Sequence, residues 1–331
     1  MMAPSTFADR APATVVTNGP ATPLRASRLS PQFRAFLFVF ISLAIRSTLL
    51  SVSTNFLGEE LGDVSRKHDG LLVALAHLGS KVLLLLVGWF AGYDYIDIMC
   101  LTAITNAPFW YLLVTYYDVS VSTVAAHANI EILAVVLPTY LLRPKSAVHS
   151  PNVALRNRFL LSSTQVQVST SLLAMGAYVL VLFSAIKSGW LNSFLVVHFD
   201  IPTLELAHNE TPISLLWKTF VAGIAAREFL FNPSIGAQAS SGATTPVATF
   251  DAATATLPAT VKHNFWNYSK PTRTLIQQTA FLSAFIFVNT LQRCNTLQGA
   301  DVAGPAGYAL VWITATAITA AWWTWVGDTT N

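Results

Sequence analysis

Charge is what this chain has least of. Of its 331 residues only 11% are Asp, Glu, Lys or Arg, where a soluble domain carries about 25%. Hydrophobic residues make up 53%. So little polar surface cannot clothe a soluble globule, and the sequence reads as a polytopic membrane protein. Cysteine is also scarce. Cys100 and Cys294 lie in or beside apolar runs, which excludes a disulfide scaffold and a cysteine metal-ligand spacing. Basic runs are missing, and a net charge of +3 is too small to point to nucleic acid.

Long apolar runs are present. A helix needs about 20 mostly apolar residues to cross a bilayer. Runs at 33–54, 71–91, 98–117, 121–142, 168–186, 213–231, 271–294 and 303–326 meet that need, and 191–199 is too short and reads as an interfacial or re-entrant piece. The expected fold is all-α, with about eight transmembrane helices in a single domain over 33–331. Eleven Lys and Arg fall in segments on the N-terminal side and four on the opposite side, which predicts both termini in the cytosol. Residues 1–32, rich in Ala, Pro, Ser and Thr, read as a disordered tail, with a mitochondrial presequence as the competing reading. Residues 232–270 hold a low-complexity stretch and read as a flexible cytosolic loop. The polar residues of the first four runs do not recur in the last four, which argues against an inverted-repeat transporter.

An ionisable group at membrane depth is costly and marks a candidate site. Counted by helix rise, Arg46, Lys81 and Glu131 fall in one layer near the middle of their runs, with His77, His127, Asn106, Lys218 and Asn289 in it or toward its lumenal side. The densest cluster is His127-Ala-Asn129-Ile-Glu131, where His127 and Glu131 share a helix face. Glu131, tuned by His127 and Asn129, is the candidate general acid. A buried Glu131–Arg46 ion pair that only fixes packing is the equal alternative. The layer is net positive and suits an anionic or phenolic headgroup, not a cation pore. Arg46, Lys81 and Asn106 are the candidate head-group contacts. The deep aromatics Trp110, Tyr111 and Trp312 are candidate walls for a cationic intermediate.

Other charges read more plainly. Lys218 and Arg227 lie near run ends, where long basic side chains snorkel. Glu59, Glu60 and Glu210 read as solvated loop acids, whereas Asp200 and Glu205 sit in apolar context and are candidates to cap a cavity mouth. Asp94-Tyr95-Ile96-Asp97 has a spacing that can bind Mg²⁺ with a diphosphate. It has no second copy on its side, and reads as a polar inter-helix loop.

The stretch IPTLE…H at 201–208, the stretch AREFLFNPS at 226–234, the eight runs and the length together resemble the fungal integral-membrane cyclases of meroterpenoid pathways, of the ascofuranone and macrophorin type. The resemblance covers the chain from about Arg34 onward. It implies an isomerase-type terpene cyclase of the endoplasmic reticulum membrane. Such an enzyme protonates the terminal olefin or epoxide of a farnesylated phenol and needs no metal and no other cofactor. The implied partners are that prenylated phenol and the bilayer, with no obligate protein partner. Two other classes remain open: a proton-coupled small-solute carrier using Glu131 and His127, and a structural subunit of a mitochondrial membrane complex.

Overall fold

The structure, a computed structural model, describes residues 30–66, 70–153, 155, 158–237, 255–258, 260 and 268–327. Helix starts follow local sequence signals. Helix α1 (Pro31–Val64) is capped by Ser30, whose side chain accepts from the Phe33 N–H, and has proline in its first turn. Helix α2 is Leu71–Phe90. Helix α3 (Tyr95–Tyr116) opens on a capping box between Asp94 and Asp97. Helix α4 (Val121–Leu142) is capped by Ser120. A short α5 (Arg158–Ser162) precedes α6 (Thr164–Lys187), which is capped by Ser163. Then come α7 (Trp190–His198), α8 (Glu205–His208) and α9 (Pro212–Ala226), the last with a Thr211–Ser214 capping box. A π-helical turn at Arg227–Phe231 leads into α10 (Asn232–Gly236). Helices α11 (Lys270–Cys294) and α12 (Ala303–Gly327) complete the described chain.

The protein is all-helical, and among the described residues the only β pairing is a single bridge, Ser65 to Leu297. Among the described residues five helical segments are long and apolar enough to cross a membrane: Pro31–Thr54, Tyr95–Tyr116, Val121–Leu142, Thr164–Lys187 and Lys270–Cys294. The apolar part of α2, Ala74–Phe90, is shorter. Helix α12 has the length, at 25 residues, but is built largely of Ala, Gly, Thr and Trp, which lowers its hydropathy. The run at 213–231 becomes two pieces, α9 and the π turn, which passes on into α10. The expected flexible loop from 232 therefore begins with a helix, Pro233 sitting in its first turn where proline is tolerated. Residues 1–29 and most of 238–267 lie outside the described residues.

Helix α3 is the most buried of the five and α1 the least. The α3 helix packs against α4, α9 and α11; α1 lies on α4, α6 on α9 and α12, and α11 on α12. Between α6 and α9 the approach is so close that a Cβ at Gly223 would collide with Met175, backbone included. Small residues permit such approaches between helices that gain no hydrophobic drive from lipid. At one end of the bundle Arg143 donates to the Trp89 and Tyr93 carbonyls and Ser234 to the Pro271 carbonyl. At the other end Gln298 N–H donates to the Val64 carbonyl, and Gly299, at φ 69°, lets the chain lie against the Asp200 backbone. The outer face carries large exposed apolar side chains such as Phe36, Phe40, Leu83, Leu180 and Trp217, as a lipid-facing surface does.

Candidate functional site

Glu131 is the centre of the molecule's densest charge cluster. Its carboxylate is 1% exposed and meets three cations from three other helices. Arg46 Nε of α1 donates to Oε1 at 2.6 Å, and Lys81 Nζ of α2 donates to Oε2 at 2.9 Å. Arg293 of α11 places Nη2 against the same Oε2 as an ion pair. One turn before Glu131, His127 holds Nε2 3.7 Å from Oε1. Its Nδ1 accepts from Trp110 Nε1 at 3.3 Å, which puts the ring proton of a neutral imidazole on Nε2, facing Glu131. The Phe109 ring lies 6.0 Å from the His127 ring and 6.0 Å below the Arg293 guanidinium. Three cations against one carboxylate leave the cluster at net charge +2, with His127 neutral.

Beside the cluster is a cavity of about 50 Å³, lined by Lys81, Phe38, Thr105, Asn106, Phe285 and Asn289. Asn289 Nδ2 donates to Asn106 Oδ1 at 3.0 Å and to the Thr105 carbonyl at 2.8 Å, so α3 and α11 are tied at its wall. The volume holds one or two waters at about 30 Å³ each. Ligand pockets for small molecules start near 300 Å³.

The structure brings Arg46, Lys81, His127 and Glu131 together, with Trp110 bonded to His127 and Asn106 in the cavity wall. It does not bring in Asn129. That side chain is exposed on α4 and its amide donates to the Ala125 carbonyl at 2.8 Å. The reason is helical geometry: two residues from both His127 and Glu131, it points about 200° away. Asp200, on the segment joining α7 and α8, and Glu205, the first residue of α8, are exposed. The run boundaries put Arg293 among the four basic residues of the opposite-side segments. It falls in the last turn of α11, one turn after Asn289, and that spacing is the signal that places it on the same face.

Tyr111 and Trp312 belong to a second centre on the opposite side of α3. Tyr111 follows Trp110, and one residue turns a helix by about 100°. Glu210, read from sequence as solvated, is 3% exposed. It accepts from Lys218, from Ser214 and, at 3.4 Å, from Thr115 Oγ1. Lys218 also donates to Thr115 Oγ1 at 3.0 Å and lies 5.6 Å over the Tyr111 ring. It is thus a paired group and not a snorkelling one. The cause is the segment 199–211, which folds back over the bundle end with Ala207 buried. Around this pair stand Tyr111 and Trp312 (6.0 Å between centroids) and Tyr178 (5.8 Å from Trp312). The Tyr111 hydroxyl and Trp312 Nε1 are buried without a hydrogen-bond partner.

A third polar centre lies where α3 begins. Asp94 and Asp97 form the capping box, and His149 of the 143–153 segment sits 2.8 Å from Asp94 Oδ2. Burial opposes ionisation of Asp94. Bonds from His149 and from the backbone N–H groups of Asp97 and Ser146 outweigh it and hold this carboxyl well below the usual range. Burial works against the charged form of His149 as well, but Asp94 raises its pKa. Arg227, expected to snorkel, is 1% exposed in the π turn and pairs with Glu228.

No family model, curated protein or solved structure matches the chain.

Proposed function

We propose that this chain is an integral-membrane terpene cyclase that isomerises an oxygenated prenylated phenol. Its eight long helices would cross the endoplasmic reticulum membrane, with both ends cytosolic. The observation that carries the reading is the convergence of Arg46, Lys81 and Arg293 on one buried carboxylate at membrane depth. Such a cluster has N–H donors to spare for an oxygen ligand. An epoxide or phenolic oxygen can accept from these groups; an olefin has no lone pair to offer. Placed against the reacting terminus, the donor set favours a terminal epoxide over a terminal olefin.

In this reading the substrate oxygen draws the cationic donors away from Glu131, the freed carboxylate takes up a proton from bulk solvent, and the Nε2–H of His127 orients it. Glu131 gives that proton to the epoxide oxygen and the C–O bond breaks. The resulting tertiary cation is captured by the next double bond, and the last cation loses a proton to water, so one proton is taken up and one released per turnover. Product and substrate have the same mass. The net charge of the cluster repels the cation and favours its migration along the chain, away from the guanidinium groups. A substrate far larger than the resting cavity enters sideways from lipid, by separation of α1 and α2 from α4. The slight burial of α1 supports that route.

The test is incubation of microsomes carrying the chain with farnesylated phenols, epoxidised or not, in EDTA. The expected outcome is an isomer of unchanged mass from the epoxide and little or none from the olefin. No isomer from either, with folded protein present, overturns the reading. The cavity size favours a second reading, a carrier of small anions through the same cations. It is supported if anion uptake by proteoliposomes is found where no isomer forms.

A further inference from the structure

The Asp94–Asp97–His149 centre plays no part in the proposed reaction, yet it is built in more detail than a helix cap requires. The cap uses one oxygen of each carboxylate. Asp94 Oδ1 accepts from the Ile96 and Asp97 N–H groups at 2.9 and 3.0 Å, and Asp97 Oδ2 accepts from the Asp94 N–H at 3.2 Å. The other two oxygens, Asp94 Oδ2 and Asp97 Oδ1, face the same histidine nitrogen. His149 Nδ1 is 2.8 Å from the first and 4.0 Å from the second. The three side chains are 1%, 9% and 6% exposed. One ligand atom from each falls within 4.8 Å of the others.

Charge balance gives a second, independent reason to look for a ligand. Two buried carboxylates face one imidazole. The hydrogen-bond donors of the basic residues around them are engaged elsewhere. Arg143 donates to the Trp89 and Tyr93 carbonyls, Arg227 pairs with Glu228, and Lys145 lies over the Tyr95 ring. His149 is held through Nδ1 alone, its Nε2 being buried without a partner.

We propose that Asp94 Oδ2, Asp97 Oδ1 and His149 Nδ1 form a site for a divalent transition metal of the Zn²⁺ type, which clamps the 143–153 segment onto the start of α3. One nitrogen and two carboxylate oxygens suit such an ion. At Zn–N and Zn–O distances near 2.1 Å, tetrahedral ligand atoms stand about 3.4 Å apart. The separations of 2.8 and 4.0 Å bracket that value. The ion takes the place of the proton between His149 and Asp94, the Ser146 N–H keeps its 2.9 Å bond to Asp94 Oδ2, and a water completes the fourth position. The inference goes beyond the proposed reaction and does not depend on it.

The test uses the full chain purified in detergent, stripped with chelator and titrated with Co²⁺ and then Zn²⁺. Co²⁺ is expected to give visible d–d bands at one equivalent, which Zn²⁺ abolishes, together with a rise in melting temperature. His149→Gln and Asp97→Asn should lose the bands while still eluting as monodisperse protein. Asp97→Asn keeps a carbonyl oxygen for the cap, so it separates loss of metal from loss of fold. Glu131→Asp should retain the bands. Absence of bands in the wild-type chain, or unchanged bands in both site variants, overturns the proposal.

Discussion

The Glu131 and Glu210 centres are both buried acid–base clusters touching the central helix α3, yet they are built on opposite plans. At Glu210 one acid meets one lysine, two hydroxyls fill the remaining lone pairs, and tightly packed tyrosines and Trp312 close around them. The charge is balanced and the sequence neighbours are close: Glu210, Ser214 and Lys218 are successive turns of one segment. At Glu131 three cations from α1, α2 and α11 compete for one carboxylate, and Arg46 keeps 31% of its side chain exposed. The difference separates a polar cluster that pins a structure from one with bonding capacity left over. Only the second has more cations than acids to offer a ligand.

The largest expected effect comes from removing the anion of the unbalanced cluster. Glu131→Gln leaves Arg46, Lys81 and Arg293 facing one another. Breaking a buried pair costs about 3–5 kcal/mol, and here three cations lose their partner, so the variant should melt far below wild type in detergent. Glu131→Asp should recover the fold. Thermal unfolding of both variants checks this, and equal melting of Glu131→Gln and wild type would remove Glu131 as the organising anion.

That cluster also shows what the sequence exposes and what it hides. Apolar runs marked every long helix, and the short α7 was legible by length alone. Arg46, Lys81 and Glu131 were placed in one layer by counting helix rise. Their pairing joins residues 85 and 50 positions apart, and no local pattern encodes which faces meet. Arg293 was missed because it ends a run, where a cation normally reads as loop charge. Glu210 was misread because its burial comes from a chain segment folding back over the bundle end. The π turn at Arg227–Phe231 leaves no sequence signature, since its residues are ordinary helix formers apart from their context.

The balanced cluster should respond differently to paired substitution. Lys218→Met alone strands Glu210 in an apolar box, at a cost of about 3 kcal/mol or more. Adding Glu210→Leu removes the stranded charge as well, and a buried pair exchanged for apolar residues is often neutral. The double variant should therefore melt close to wild type, and a double-mutant cycle should give strong coupling. No single replacement among Arg46, Lys81 and Arg293 should compensate Glu131→Gln in that way. Compensation at Glu131 by one such change would erase the distinction between the two centres.

A backbone substitution tests whether the two centres are mechanically separate. Gly223→Ala places a methyl against Met175, and overpacking of this kind costs about 1–3 kcal/mol. The strain falls between α6 and α9, the helix that carries Lys218. It should lower the melting temperature and loosen the Glu210 side. Hydrogen exchange should rise in α6 and α9 while amides of α1 and α4 near Glu131 stay as in wild type. Equal loosening everywhere would mean that α3 transmits strain between its faces.

The smallest effect on stability should come from Arg46→Gln, and the reason is the charge excess itself. Two cations remain to neutralise Glu131, and the partly exposed Arg46 gains least from its ion pair, about 1 kcal/mol or below. Removing one of three like charges also relieves repulsion among them, so the melting temperature should hardly move. Its effect on ligand capture should be larger, because the guanidinium nearest the lipid side is the first donor an entering oxygen meets. Conversion of the epoxide substrate should fall about tenfold or more, the cost of losing one charged hydrogen bond. If instead stability collapses and conversion per folded molecule is unchanged, Arg46 is part of the packing and the Glu131 cluster is a pin of the Glu210 kind.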